Sequence, residues 1–290
     1  MRSALIAIIL GAMAAAHAGV SVTDDYGRRI TLREPARRIV SLAPHLTETL
    51  FAAGAGERMV GAIEHSDFPE AAKSLPRIGS ETGINLEALL RLKPDLVAAW
   101  PNAGSRRQID RIAALGIPVY RSEPRELDDV ARTLLALGEL AGTRAAAGAA
   151  AKAFRARAAA LQRAHADKSR VRVFYQVWDR PLMTVNGAHL ISKVIRMCGG
   201  DNVFAHLPVI APPIDREAVL RADPEIIVAS GADSRRPTWL DDWAAFPGLT
   251  AVARGDLHAI PPDLMQRHTP RILDGAERLC AIIERARARR

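Results

Sequence analysis

A chain of 290 residues can hold one large domain or two of ordinary size, and 49% hydrophobic with 25% charged residues excludes a disordered or fibrous polymer. A net charge of +8 raises the question of nucleic acid. The basic residues are scattered arginines with acids nearby, and the one dense cluster is the terminal run from Glu284 to Arg290, so the pattern predicts a solvated, Arg-rich surface and no nucleic-acid partner.

The N-terminus reads as an export signal spanning residues 1–18. Arg2 gives a short basic start, Ala4 to Ala16 is uncharged and apolar, and Ala16-His17-Ala18 has the small-residue form of a cleavage site. The apolar run is too short to cross a bilayer. A mature chain beginning at Gly19 is therefore expected to be exported as a soluble protein into an oxidising compartment. There, the even pair Cys198 and Cys280 favours a disulfide over a metal site.

After the signal, Val20 to Leu32 alternates apolar and polar residues around Tyr26-Gly27, the pattern of a β-hairpin. Arg38 to Leu42 is a short apolar strand stopped by Pro44, Thr47 to Ala53 has helical periodicity, and Met59 to Ile63 is the next strand. This rhythm predicts an α/β sheet, whose ligands sit beyond the carboxyl ends of the strands. Pro44 and His45 fall on that rim. The stretch from His65 to Asn85 is a loop by composition, with a turn at Asp67-Phe68-Pro69. A helix capped at Asn85 and stopped at Pro94 leads to a strand ending at Ala99, with Trp100 on the rim. Helices at Arg106–Leu115 and Leu127–Ala141 flank a further strand, Ile117–Tyr120.

From Thr143 to Lys168 the chain is rich in Ala, Arg, Lys and Gln and lacks Pro, which predicts one stiff helix on the order of 37 Å long. Beyond it the strand and helix rhythm restarts, with Trp178 closing the first strand run. The segments Asn85–Trp100 and Asp215–Ser230 align without gaps. In each, a glutamate (Glu87, Glu217) stands seven residues before a proline (Pro94, Pro224) that is followed by an acid and an apolar strand. That internal repeat predicts two related lobes. The domain organisation expected is an N-terminal α/β lobe at 19–142, a connecting helix at 143–168 and a C-terminal α/β lobe at 169–290. The histidines at 65, 189, 206 and 268 occupy loops or loop edges, where solvated side chains are usual. The motifs of zinc hydrolases, P-loops and serine nucleophiles are missing, so no catalytic or metal-ligating set is expected, and no cofactor.

The stretches RIVSLAPHLTETLFAAGAGERMVG, NLEALLRLKPDLVAAW, MCGGDNVF and DREAVLRADPEIIV resemble the periplasmic binding proteins that serve ABC importers of cobalamin, haem and iron-siderophores, and are most similar to the vitamin B12-binding branch. The resemblance implies two three-layer α/β lobes joined by a single long rigid helix, the class III arrangement, and a monomer that is no enzyme. It implies that Glu87 and Glu217 dock into arginine pockets of a membrane permease, and that Cys198 pairs with Cys280. Phe68 stands where the branch has a Tyr, Trp100 matches a Trp, and Trp178 lies in a loop that carries another aromatic. Asp263 and Arg267 match later polar contacts, while two further aromatic positions, near Glu81 and Ala211, carry none here. The implied ligand is a corrinoid, with haem, a ferric siderophore or another metal chelate as the alternative, and His45 as a candidate metal ligand.

Overall fold

A computed structural model describes residues 19–81, 83–102, 104–231 and 235–290. The expected export signal lies outside the described residues. Strands β1 (Val20–Thr23) and β2 (Arg29–Leu32) form an antiparallel hairpin whose turn uses Gly27 at φ 73°, a left-handed conformation that glycine adopts without a Cβ clash. The chain then runs through β3 (Ile39–Ser41), α1 (Pro44–Ala52), β4 (Met59–Ala62), α2 (Leu86–Arg91), β5 (Leu96–Ala99), α3 (Arg106–Ala114), β6 (Val119–Arg121) and α4 (Leu127–Leu140). Helix α5 (Arg144–His165) follows, then β7 (Val171–Gln176), α6 (Leu190–Met197), β8 (Gly200–Asn202), α7 (Arg216–Ala222), β9 (Ile226–Ala229), α8 (Thr250–Ala253), β10 (Leu257–Ala259), α9 (Pro262–Met265) and α10 (Ile272–Arg287).

The first parallel sheet has the order β4-β3-β5-β6 and the second β10-β9-β7-β8. Numbered within each lobe, both read 2-1-3-4, so the repeat seen in the sequence is a repeat of topology. Strand alternation divides each sheet between two helical layers. Ile39, Leu96 and Ala98 pack with α1 and α4 on one face, whereas Val40, Val97 and Ala99 pack with α2 and α3 on the other. In the second lobe Val171, Val173 and Tyr175 meet α6 and α10, while Phe174 and Ile227 meet Trp243 and Val219. Each lobe is thus three layers deep.

Every strand of the first sheet precedes α5 and every strand of the second follows it, yet this helix is not the only tie. One apolar core runs from Leu46 and Leu50 through Leu134, Ala147 and Phe154 to Ile191 and Ile283. The lobes therefore pack against one another, where the sequence suggested a rod alone. Gly138 lets α4 and α5 touch, since a Cβ there would stand 2.1 Å from the Ala147 side chain. Cys198, at the end of α6, and Cys280, in α10, form a disulfide. No described helix is long and apolar enough to cross a membrane.

The repeat extends further than the glutamates. Asn85 and Asp215 each cap their helix by accepting the backbone N–H three residues on. Lys93 (φ 45°) and Asp223 (φ 39°) take the left-handed conformation before Pro94 and Pro224. The following acids, Asp95 and Glu225, accept the backbone N–H of Arg38 and Arg172 at 2.9 and 3.0 Å. Those two arginines in turn donate to the carbonyls of Leu92 and Ala222, near the ends of α2 and α7. Matched polar fastenings hold Glu87 and Glu217, both exposed, in equivalent settings.

Candidate functional site

The carboxyl ends of both sheets bring the candidate ligand residues to the junction of the lobes. Pro44 opens α1, where its missing N–H costs nothing. It is buried, so it shapes the rim without presenting a face to it. His45 follows, its ring edge-on to Trp100 with centroids 5.7 Å apart. Nε2 of His45 is buried without a hydrogen-bond partner. Burial, with smaller contributions from His268 and Arg267, lowers the His45 pKa to about 3, which keeps the ring neutral.

The polar side of the junction is an ion-pair network. Arg267 Nη1 donates to Glu48 Oε1 at 2.9 Å and to Asp67 Oδ1 at 2.8 Å. Its Nη2 donates to the His65 carbonyl at 3.1 Å and lies 3.1 Å from Asp263. Arg271 reaches Glu48 Oε2 at 3.3 Å and lies over the Phe68 ring, 3.9 Å from its centroid. Glu48, Asp67 and Phe68 come from the first lobe, and the arginines from the second. Glu48 is only 4% exposed. Desolvation raises its pKa, with the Arg267 hydrogen bond and the charges of Arg271 and Arg267 opposing. Burial also pushes Asp67 upward, but the Arg267 hydrogen bond and charge override it and leave the carboxyl below its usual range.

Two sequence expectations change here. Arg267 and Asp263 do not stand free for a ligand; they hold each other, and Arg267 also grips the opposite lobe. His189 and His268 are not solvated. Their rings meet edge-on at 5.4 Å, and burial lowers their pKa values to about 3 and about 4. His189 leaves the solvated category because it caps α6, accepting the Ile191 N–H on Nδ1. By contrast, His65 and His206 are exposed, as expected. Trp178 is 47% exposed and opens a short turn in which the Val177 N–H donates to the Met183 carbonyl and the Met183 N–H donates to the Trp178 carbonyl.

Sequence reasoning missed Glu48, Asp67 and Arg271. The signal for Glu48 was present. Thr47, Glu48 and Thr49 interrupt a short helix whose residues from Leu46 to Leu50 are all buried, and an acid on such a face requires a partner. Among the described residues no group of three or more His, Cys, Asp or Glu side chains has the arrangement of a metal site.

Two similar α/β lobes meeting at a junction lined with aromatic, imidazole and charged side chains define a two-lobed solute-binding protein. The family model described as "Periplasmic binding protein" matches residues 39–264, and the chain belongs to that family. It is 38% identical over 249 residues to the vitamin B12-binding protein of Yersinia pestis (strain Pestoides F), a match covering 85% of this chain and 86% of that one. Its structure is similar to the periplasmic vitamin B12 binding protein BtuF of Vibrio cholerae, with a TM-score of 0.80 and 36% identity over 87% of this chain and 98% of the other. The apo periplasmic heme-binding protein RhuT from Roseiflexus sp. RS-1 shares the fold at a TM-score of 0.75 and 24% identity, covering 87% and 99% of the two chains. The protein is a periplasmic transport component and not an enzyme.

Proposed function

We propose that this protein, exported by its N-terminal signal, captures a corrinoid, cobalamin, between its lobes and hands it as a monomer to an ABC-transporter permease dimer in the inner membrane. The observation that carries the reading is the similarity to two proteins named for vitamin B12 across nearly the whole mature chain. The exposed aromatics support it: Phe68 and Trp178, 42% and 47% exposed, stand on opposite lobes and suit a broad apolar ring. Glu87 and Glu217 serve the docking, because equivalent carboxylates on two similar lobes match a two-fold permease surface.

A second reading rests on one atom. The unpartnered Nε2 of the neutral His45 ring is a potential axial ligand for haem iron. Titration of the mature protein with cyanocobalamin, haemin and a ferric siderophore, followed by calorimetry and absorbance, separates the two. Cobalamin heat with weaker responses to the others is the expected result. Tight haemin binding with a Soret shift lost in His45→Ala, and no cobalamin heat, overturns it.

A further inference from the structure

Glu48 lies in the floor of the junction with a side chain 2% exposed, and it faces two guanidinium groups from the other lobe. A buried carboxylate stays ionised only when charges and hydrogen bonds replace its lost water, and removing one partner of such a group leaves the others uncompensated. Arg267 supplies that replacement but is itself engaged elsewhere. Both of its terminal nitrogens are engaged, on Glu48, Asp67, Asp263 and the His65 carbonyl. Arg271 is engaged as well, between Glu48 and the Phe68 face. Of the side chains expected to meet ligand, Arg267, Asp263 and Phe68 are therefore engaged in a network that crosses between the lobes.

We propose that Glu48 is the positioning residue of the binding site, acting through Arg267 and Arg271, and that the pairs it anchors form a latch which ligand must exchange before it can seat. The latch has two unlike arms. The Glu48 arm is buried and holds both arginines where ligand will meet them. The Asp67 arm is half-exposed, competes with ligand for Arg267, and contributes little to stability because solvent screens it. The arms therefore predict different kinetics. This inference rests on the proposed ligand reading only for its rate measurements.

The test uses the full mature protein carrying Glu48→Gln or Asp67→Asn. Spin labels at Arg107→Cys and Arg221→Cys, exposed positions on opposite lobes, report lobe separation without any ligand. The background protein should give one narrow distance, and Glu48→Gln a broader and longer distribution. Stopped-flow mixing with cyanocobalamin should show faster association for Asp67→Asn, by about two- to fivefold, since releasing a screened pair raises the fraction of competent protein by no more than that. Its dissociation should be little changed. Glu48→Gln should accelerate dissociation as well, because the arginines lose their anchor. If Glu48→Gln does not fold, Asp67→Asn carries the association test. Unchanged distances together with unchanged rates, alongside a lower melting temperature, overturn the latch and leave Glu48 a merely structural residue. If cyanocobalamin fails to bind the background protein, the ligand reading falls, and the spin-label distances alone decide the latch.

Discussion

Glu87 shows how little an exposed charge costs to redirect. It pairs with Arg91 at 2.8 Å, with side chains 81% and 68% exposed, and a surface pair of this kind contributes about 0–1 kcal/mol. Exchanging that partner for a permease arginine gives up almost nothing, whereas losing a desolvated docking pair should cost about 2–5 kcal/mol. Glu87→Ala or Glu217→Ala should leave ligand affinity unchanged in calorimetry and weaken transport in vesicles reconstituted with permease. Loss of ligand binding with normal transport would sink the docking assignment. At this scale the sequence was partly legible. His45, Trp100 and Phe68 could be placed because strand ends and turns are marked by apolar runs and prolines. Glu48, Asp67 and His268 could not, because their surroundings depend on how the second lobe closes over the first.

Elements were the most legible level, and their limits have physical causes. The sequence placed the first helix of the chain at Thr47, but α1 begins at Pro44, since a proline that ends a strand is also suited to the first turn of a helix. The long connecting helix was readable from propensity and holds without a break at Gly148, where an added Cβ would meet no neighbouring atom. What propensity could not tell was that α5 would share a core with α4. The disulfide belongs to this scale too. It joins α6 to α10 across a separation of 82 residues and lies apart from the ionic latch. Chain entropy assigns such a closure roughly 4–5 kcal/mol, and measured gains often fall below that. Cys198→Ser should lower the melting temperature by roughly 5–10 °C and leave cyanocobalamin affinity within experimental error. An affinity loss at unchanged melting temperature would contradict the placement of the bridge within one lobe.

For the whole molecule, the internal repeat foretold two lobes of one topology but not their contact, and that contact determines the response to acid. His45 comes from the first lobe, His189 and His268 from the second, and all three are held neutral by burial. The groups acting on them are few: Arg267 and His268 lower His45, His268 lowers His189, and the Pro124 carbonyl and Glu123 partly offset burial at His268. Their folded pKa values of about 3, about 3 and about 4 lie below the usual histidine value of about 6.5. Between those limits the unfolded chain binds protons that the folded chain refuses, so stability must rise with pH and be lost as pH falls. Glu48, with its raised pKa, acts in the opposite sense. Glu284, held at about 2 because hydrogen bonds from Lys168, Arg287 and His165 outweigh its desolvation, loses its contribution only as pH falls below the ordinary carboxylate range. Asp25, raised chiefly by burial, acts in the same sense as Glu48, so the interval from pH 7 to pH 5 reports the junction histidines set against these two carboxyls. Denaturant unfolding should give a lower stability at pH 5.5 than at pH 7.5, and replacing His45, His189 and His268 together by Gln should flatten that difference. The individual replacements should each flatten it in part. Equal stability at the two pH values, or a slope untouched by the replacements, would mean that water already reaches these rings and that the junction is looser than its packing implies.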